Sequence, residues 1–183
     1  CNSGRREGLR GAAGAAAREY LQQRGLDDEA LLKRCQIGFA DRSLGLRLPH
    51  KNRKDGAEIR TRLTRLGIYR ESGHEHLNGC VIVPVFNDAG EVTEVYGRRL
   101  DDGGKSGIKH LYLPGPHAGI FNREALQNEE VILCEALLDA LTFLAAGFEN
   151  VTTIYGTEGF TDELFQALKH RKVRRVKLAY DAD

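Results

Sequence analysis

A strand–helix–strand–helix–strand pattern over residues 131–183 constrains this chain more than any other stretch of it. Residues 131–134 (VILC) form an apolar run of strand length, too short for a helix. Glu135 closes the run. Residues 136–146 then carry Leu137, Leu138, Leu141 and Leu144 at helical spacing and stop at Gly147. Residues 151–155 are a second, β-branched run that ends in Gly156 and Thr157. A helix is predicted over 161–170, with Thr161 as its N-cap and Asp162 and Glu163 in its first turn. Residues 176–180 read as a third strand running straight into Asp181-Ala182-Asp183. Short joints between alternating strands and helices predict an α/β fold, a parallel sheet with right-handed crossovers.

In an open parallel sheet the ligand crevice lies at the carboxyl ends of the strands. Those ends carry Glu135, Gly156 with Thr157, and Asp181 with Asp183. Residues two apart on a strand share a face, so an extended Asp181-Ala182-Asp183 aims both carboxylates the same way. Asp139 falls one helical turn beyond Glu135, within reach of the same rim. Four converging carboxylates repel unless a cation sits between them, and an all-oxygen donor set suits Mg²⁺ or Mn²⁺. The plainer alternative makes Glu135 and Asp139 helix caps and leaves the aspartates as a strand end. Acids closing both the first and the third strand favour the metal site.

These residues carry a resemblance. Cys134-Glu135 through Asp139, Tyr155-Gly156-Thr157 and Tyr180-Asp181-Ala182-Asp183 resemble the signature of the Toprim fold. That fold is shared by bacterial DnaG-type primases, type IA and type II topoisomerases and some nucleases. The resemblance implies that Glu135, Asp181 and Asp183 are catalytic and hold Mg²⁺.

The remaining sequence discriminates among Toprim enzymes. At 183 residues and 41% hydrophobic, the chain has core enough for one ordinary domain or two small ones. The absence of methionine and the stop at Asp183 lead to the expectation of a fragment. No apolar run approaches membrane-spanning length and no signal-peptide pattern is present, so no membrane partner is expected. Cys1, Cys35, Cys80 and Cys134 are scattered without a CxxC, which argues against a zinc site and against a disulfide framework. Cys80 and Cys134 read as small core hydrophobes, and a cytoplasmic location is expected. The Asn150-Val151-Thr152 sequon is discounted because Val151 opens a buried strand.

A net charge of +1 conceals an asymmetry. Residues 1–75 hold sixteen Lys or Arg against ten acids, and residues 76–183 hold eleven against sixteen. A basic half ahead of an acidic, metal-binding half suits a polyanionic substrate steered past a catalytic rim.

Along that basic half, residues 1–10 are expected to be disordered. Helices are predicted over 11–24, closed by Gly25, and over 27–34. The string Tyr20-Leu21-Gln22-Gln23-Arg24-Gly25-Leu26 followed by Ile37-Gly38-Phe39-Ala40 resembles the start of the bacterial primase polymerase core. Residues 47–70 are the most basic segment. Arg47, Lys51, Arg53, Lys54, Arg60, Arg62 and Arg65 are its candidate nucleic-acid contacts, read as phosphate partners against the alternative of a solvated face. His74 and His76 flank Glu75 in what reads as a surface loop.

Residues 78–100 predict a β-hairpin: a strand over 80–86, the turn Asn87-Asp88-Ala89-Gly90, and a return strand ending in Gly97-Arg98-Arg99. This passage and the following Lys109-His110-Leu111-Tyr112-Leu113-Pro114 resemble the arginine and lysine motifs of primases. The resemblance implies that Arg99 and Lys109 bind nucleotide phosphates or template. Arg98, Gly156 and Thr157 complete the candidate phosphate-binding set. Departures from the family pattern are Cys80 in place of Arg, Ala136 in place of Gly, and Tyr112-Leu113 in place of Asn-Ser. The family's upstream zinc module, last Toprim strand and helicase-binding tail are not found in this sequence, which leads to the expectation of a divergent relative from a mobile element.

The reading is therefore a basic α+β N-terminal subdomain over 1–126 and an incomplete Toprim domain over 127–183. It would make short RNA primers on single-stranded DNA from nucleoside triphosphates, with Mg²⁺ or Mn²⁺. Zinc would belong to the upstream module only, and a replicative helicase would be a partner through regions outside this chain. The alternatives are a Toprim topoisomerase or nuclease, and a non-catalytic single-strand-binding relative.

Overall fold

The computed structural model describes residues 9, 11–101, 107–156, 159–171 and 173–180. Asp181, Asp183 and Thr157 lie outside the described residues. So does the expected disorder of 1–10, Leu9 excepted, and Leu9 is buried. The chain divides into two compact units. The first comprises Cys1–Leu21, Lys33–Val83 and Val95–Gly115, and the second Gln22–Leu32, Pro84–Glu94 and Pro116–Asp183.

Helix α1 (Ala15–Gln23) buries Ala17 and Leu21, one turn apart, and Gly25 follows its end at φ +66°. Helix α2 (Glu29–Arg34) starts two residues later than the spacing suggests, because the Asp28 carboxylate caps it by accepting the Leu31 N–H at 2.8 Å. The short strand β1 (Gly38–Phe39) pairs antiparallel with β2 (Cys80–Phe86), Gly38 opposite Ile82 and Phe39 opposite Val81. Strand β3 (Val92–Arg99) pairs antiparallel with β4 (His110–Leu111), and the sheet order is β1-β2-β3-β4.

The packing of the first unit explains Gly97. A Cβ there would lie 2.9 Å from Leu77 Cδ2 and 3.3 Å from Cys80 Cβ, inside the cluster Leu77, Cys80 and Val95. Helices α3 (Leu44–Arg47) and α4 (Lys54–Arg65) carry the basic segment. Helix α4 ends in paired bonds, from Gly67 N–H to the Thr64 carbonyl and from Ile68 N–H to the Leu63 carbonyl, with Gly67 at φ +73°.

In the second unit the Asn87 side chain builds the expected turn, its Oδ1 accepting the N–H of Ala89 at 3.0 Å and of Glu91 at 2.9 Å. The parallel sheet forms as predicted, from β5 (Glu130–Cys134), β6 (Val151–Thr153) and β7 (Arg175–Ala179) in the order β6-β5-β7. Helices α5 (Leu137–Ala145) and α6 (Asp162–His170) follow the first two strands. Strand β6 ends two residues before the apolar run does.

The central strand buries Val131 to Cys134, and its Val131 and Leu133 pack with Ile120, Leu126, Ile154 and Leu164. Helix α5 stops where Gly147 demands. Gly147, at φ +90°, gives its N–H to Leu144 and Phe148 to Phe143, and the two phenylalanine rings meet edge-on at 5.7 Å. Thr161 caps α6 by accepting the Leu164 N–H at 3.2 Å. Among the described residues no helix is long and apolar enough to cross a membrane.

Candidate functional site

The acidic rim lies at the carboxyl ends of the parallel strands. Cys134 opposes Ala179 across β5 and β7, so Glu135 and Tyr180 each stand one residue past the last pair, and Asp181 follows Tyr180 in the chain. Asp139 is in the first turn of α5. Its proximity registers on Cys134, whose thiol is pushed up to about 12, first by burial and then by the Asp139 charge. The Tyr180 phenol is likewise raised, by burial first and then by the charge of Glu135. Asp139 is thus near Cys134 and Glu135 near Tyr180, and among the described residues no three acids, cysteines or histidines gather as a metal-holding group. The carboxylates of Glu135 and Asp139 suit a hard cation, and the fully buried, protonated thiol takes no part.

Ala136, in place of the family's glycine, sits at the α5 N-cap with φ −116° and ψ 152°, a conformation open to any residue. One expectation about this rim changes. Gly156 is not a phosphate donor through its amide, since its N–H goes to the Glu135 carbonyl at 3.3 Å. Its φ of +88° serves the turn that returns the chain to Gly159.

The first unit holds a cleft of about 490 Å³ lined by Arg42, Arg70, Arg99, His74, His76 and Asn78 among others. Glu75, half-buried, lines the cleft from a loop whose residues 70–74 are exposed. Burial raises its carboxyl, and the N–H groups of Gly45 and Leu44 oppose that shift by donating to it. His76 is held by two partners that settle its tautomer. Its Nε2 lies 2.8 Å from the Tyr112 carbonyl, which can only accept, and its Nδ1 accepts from Arg70 Nε at 3.3 Å. Arg99 reaches Asp101 with Nε at 3.6 Å, and its backbone N–H bonds the Lys109 carbonyl across to β4. Arg99 and Lys109 are thus directly opposed residues of one ladder.

Arg98 does not share that cleft. Its guanidinium contacts the His110 ring and lies 5.9 Å from the centroid of Tyr20, so its role is to tie β3 to α1 and β4. Arg60 is corrected in the same way. It donates to the carbonyls of Pro49 at 2.6 Å, Gly56 at 3.0 Å and Gly45 at 3.1 Å, bracketing the loop before α4. Arg47, Lys51, Arg53, Lys54, Arg62 and Arg65 are exposed, with Arg62 paired to Glu58 at 2.7 Å.

Sequence reading missed one constellation. In the second unit Glu94 is only 2% exposed, and its Oε2 lies 2.8 Å from Nδ1 of His117. The signal was an acid at an inward position of β3, followed by Val95 and Tyr96 in a buried run.

Residues 5–127 match the family model for the DNA primase catalytic core, N-terminal domain, and residues 132–183 match a Toprim-like model. The DNA primase of Listeria innocua is 29% identical over 187 residues, covering 93% of this chain and 28% of the relative. A structure of the DnaG primase catalytic domain bound to ssDNA superposes with a TM-score of 0.78 at 23% identity, over 100% of this chain and 61% of that one. The zinc-binding and RNA polymerase domains of the Aquifex aeolicus primase superpose with a TM-score of 0.72 at 21% identity, over 98% and 45%. The chain thus spans under a third of the Listeria primase. With most of its length matched by that core model and the rest by a Toprim-like one, the chain belongs to the DnaG-type DNA primase catalytic-core family.

Proposed function

We propose that the chain is the catalytic part of a cytoplasmic primase that makes short RNA primers on single-stranded DNA by metal-dependent nucleotidyl transfer. The observation that carries this reading is the continuous order of a primase core, residues 5–127, and a Toprim-like segment in which Glu135 directly follows the central strand and Asp139 lies in the first turn of the next helix. The first match ends at 127 and the second begins at 132, which supports a division close to the expected one after residue 126. The relative solved with ssDNA supports that template class. The primase-core match supports this reading over a topoisomerase or a nuclease.

Glu135, Asp181 and Asp183, with Asp139, are the residues proposed to hold Mg²⁺ or Mn²⁺. Bound there, the ion would assist the attacking 3′-hydroxyl and neutralise the leaving pyrophosphate. Arg99 and Lys109 would hold phosphates, Arg as a planar fork and Lys as a mobile charge. Arg47, Lys51, Arg53, Lys54, Arg62 and Arg65 would track the template. Zinc would belong to an upstream module, as the Aquifex relative's zinc-binding domain suggests, and a replicative helicase to regions outside this chain.

The test uses the full-length protein. Primer synthesis on a single-stranded template should vanish in Asp181→Asn and Asp183→Asn, with thermal stability in metal-free buffer equal or higher because carboxylate repulsion is relieved. Calorimetric Mn²⁺ titration should lose its binding signal in the double variant. Equal Mn²⁺ binding by wild type and double variant would overturn the metal assignment.

A further inference from the structure

We propose, on the primase reading above, that the outer face of α6 and the segment after it form a second track for single-stranded DNA, with Phe160 and Phe165 stacking its bases and a cluster of cations holding its phosphates. Of the eleven Lys and Arg residues in 76–183, six fall within residues 169–177. The acidic half of the chain therefore carries one concentrated basic patch.

Helix α6 turns Leu164, Ala167 and the half-buried Leu168 toward the cluster that holds Val131, Leu133 and Ile154. An amphipathic helix keeps its other positions polar, and Asp162, Glu163, Gln166, Lys169 and His170 obey that rule. Phe165 breaks it. Its ring is 45% exposed, and Phe160, just ahead of the helix, is 46% exposed. The two rings meet edge-on with centroids 6.4 Å apart, and Lys169, one turn beyond Phe165, brings its ammonium to 5.4 Å from the Phe165 centroid. Single exposed apolar side chains are ordinary on a surface. Two aromatic rings in contact, with a cation beside them, are instead the arrangement that takes up unpaired bases.

The cations continue the same line. Arg171 is the C-cap of α6, and Arg174, Arg175 and Lys177 follow it, all exposed. The acids that meet them are Glu129 and Glu130. Arg174 lies 3.6 Å from Glu129 with both side chains largely exposed, and Arg175 and Lys177 share the one carboxylate of Glu130 at 2.9 and 2.6 Å. Exposed pairs of this kind contribute little, so a phosphate competes for these cations.

The place of the patch gives the track its direction. Glu130 stands opposite Arg175 at the amino ends of β5 and β7, the sheet end away from Glu135. Phe160 follows the turn from Gly156 to Gly159 at the carboxyl end of β6. The path from Phe160 past Phe165 and Lys169 to Arg171 therefore runs from the end where an open α/β sheet binds its substrate to the far end. A strand on that path meets the stacking rings first and the phosphate-binding cations beyond. Duplex DNA offers the rings no unpaired base and an acidic polypeptide offers them no base at all, so the rings select a single strand.

The experiment uses the full-length protein and a single-stranded oligodeoxynucleotide carrying 5-iodouracil. Irradiation should join the strand to a peptide containing Phe160 or Phe165, identified by mass spectrometry. Phe160→Ala combined with Phe165→Ala should lose that adduct and weaken binding by roughly fivefold or more, the worth of one stacked base, with the salt slope of log K unchanged. Phe165→Tyr, which keeps a ring, should retain adduct and affinity. Lys169→Ala combined with Arg171→Ala should lower the salt slope by roughly 1.4, about 0.7 for each phosphate contact. A strand that binds without an adduct at either phenylalanine would overturn the inference. So would polyglutamate suppressing the adduct as well as unlabelled DNA of equal charge, which would make the patch a site for acidic proteins. If wild type makes primer and no adduct forms, this inference falls alone. If the adduct forms and wild type makes no primer, the primase reading falls and the single-strand track stands.

Discussion

Arg98 and Arg99 are consecutive on β3 and serve opposite faces of it. Arg98 is engaged with His110 and lies over Tyr20, whereas Arg99 lines the basic cleft beside Asp101. The pleat of a strand makes this unavoidable, because successive side chains alternate in direction. Arg98→Ala is expected to cost about 1 kcal/mol of stability, the worth of a cation–π contact and a hydrogen bond that water partly replaces. Arg99→Ala is expected to leave chemical denaturation nearly unchanged and to weaken nucleotide-dependent synthesis roughly tenfold or more. Denaturant titration and primer assays on both variants separate the roles, and an exchange of the two phenotypes would refute them.

Arg60 and Arg62 lie half a turn apart on α4 and have different work. Arg60→Ala removes the donor to the backbone carbonyls of Gly45, Pro49 and Gly56 and is expected to cost about 1.5–3 kcal/mol, the range for hydrogen bonds to a charged group. Arg62→Ala removes one exposed ion pair and should stay within about 1 kcal/mol. If Arg62 contacts template phosphate, its loss should weaken all single-stranded sequences alike and reduce the salt slope of log K by roughly 0.7. Binding isotherms at several salt concentrations test this, and an unchanged slope would remove Arg62 from the interface.

Glu75 supplies a pH dependence whose sign follows from its environment. Burial raises its carboxyl above the ordinary 4.5, so the folded chain holds that proton more tightly than the unfolded one. Its contribution to stability is therefore full below pH 4.5 and is lost as pH rises through the folded value. Glu75→Gln, which cannot ionise, should gain stability relative to wild type as pH rises from 4 to 7. Paired denaturation curves across that range check the prediction, and a difference independent of pH would contradict it.

Gly97 belongs to the segment that resembles the primase arginine motif, yet its structural role is packing. Gly97→Ala sets a methyl against Leu77 and Cys80 and is expected to cost about 1–3 kcal/mol, the usual range for overpacking a core. Leu77→Ala in the same background should restore part of that loss by opening the site. Double-mutant stability measurements decide it, and strict additivity would point to a different cause.

The local order of this chain was legible in its sequence. The alternation of short β-branched runs with leucine-spaced segments specified the β5–α5–β6–α6–β7 unit, because burial repeats with the period of each element. Helix ends were legible too, at Thr161 and Gly147, since caps act within four residues of the groups they satisfy. Burial of Cys80 and Cys134 followed from their place inside apolar runs.

Tertiary structure alone decided which charged side chains were spoken for. Arg60 reads as one more cation in a basic segment until a loop eleven residues away presents the Pro49 carbonyl to it. Glu94 and His117, 23 residues apart, carry no shared local signal, and only the fold brings carboxylate and imidazole within 2.8 Å. A periodic pattern reports how buried a position is. It does not report which distant partner fills the hydrogen-bonding capacity of the group placed there, and that partner separates a structural charge from one left to meet a substrate.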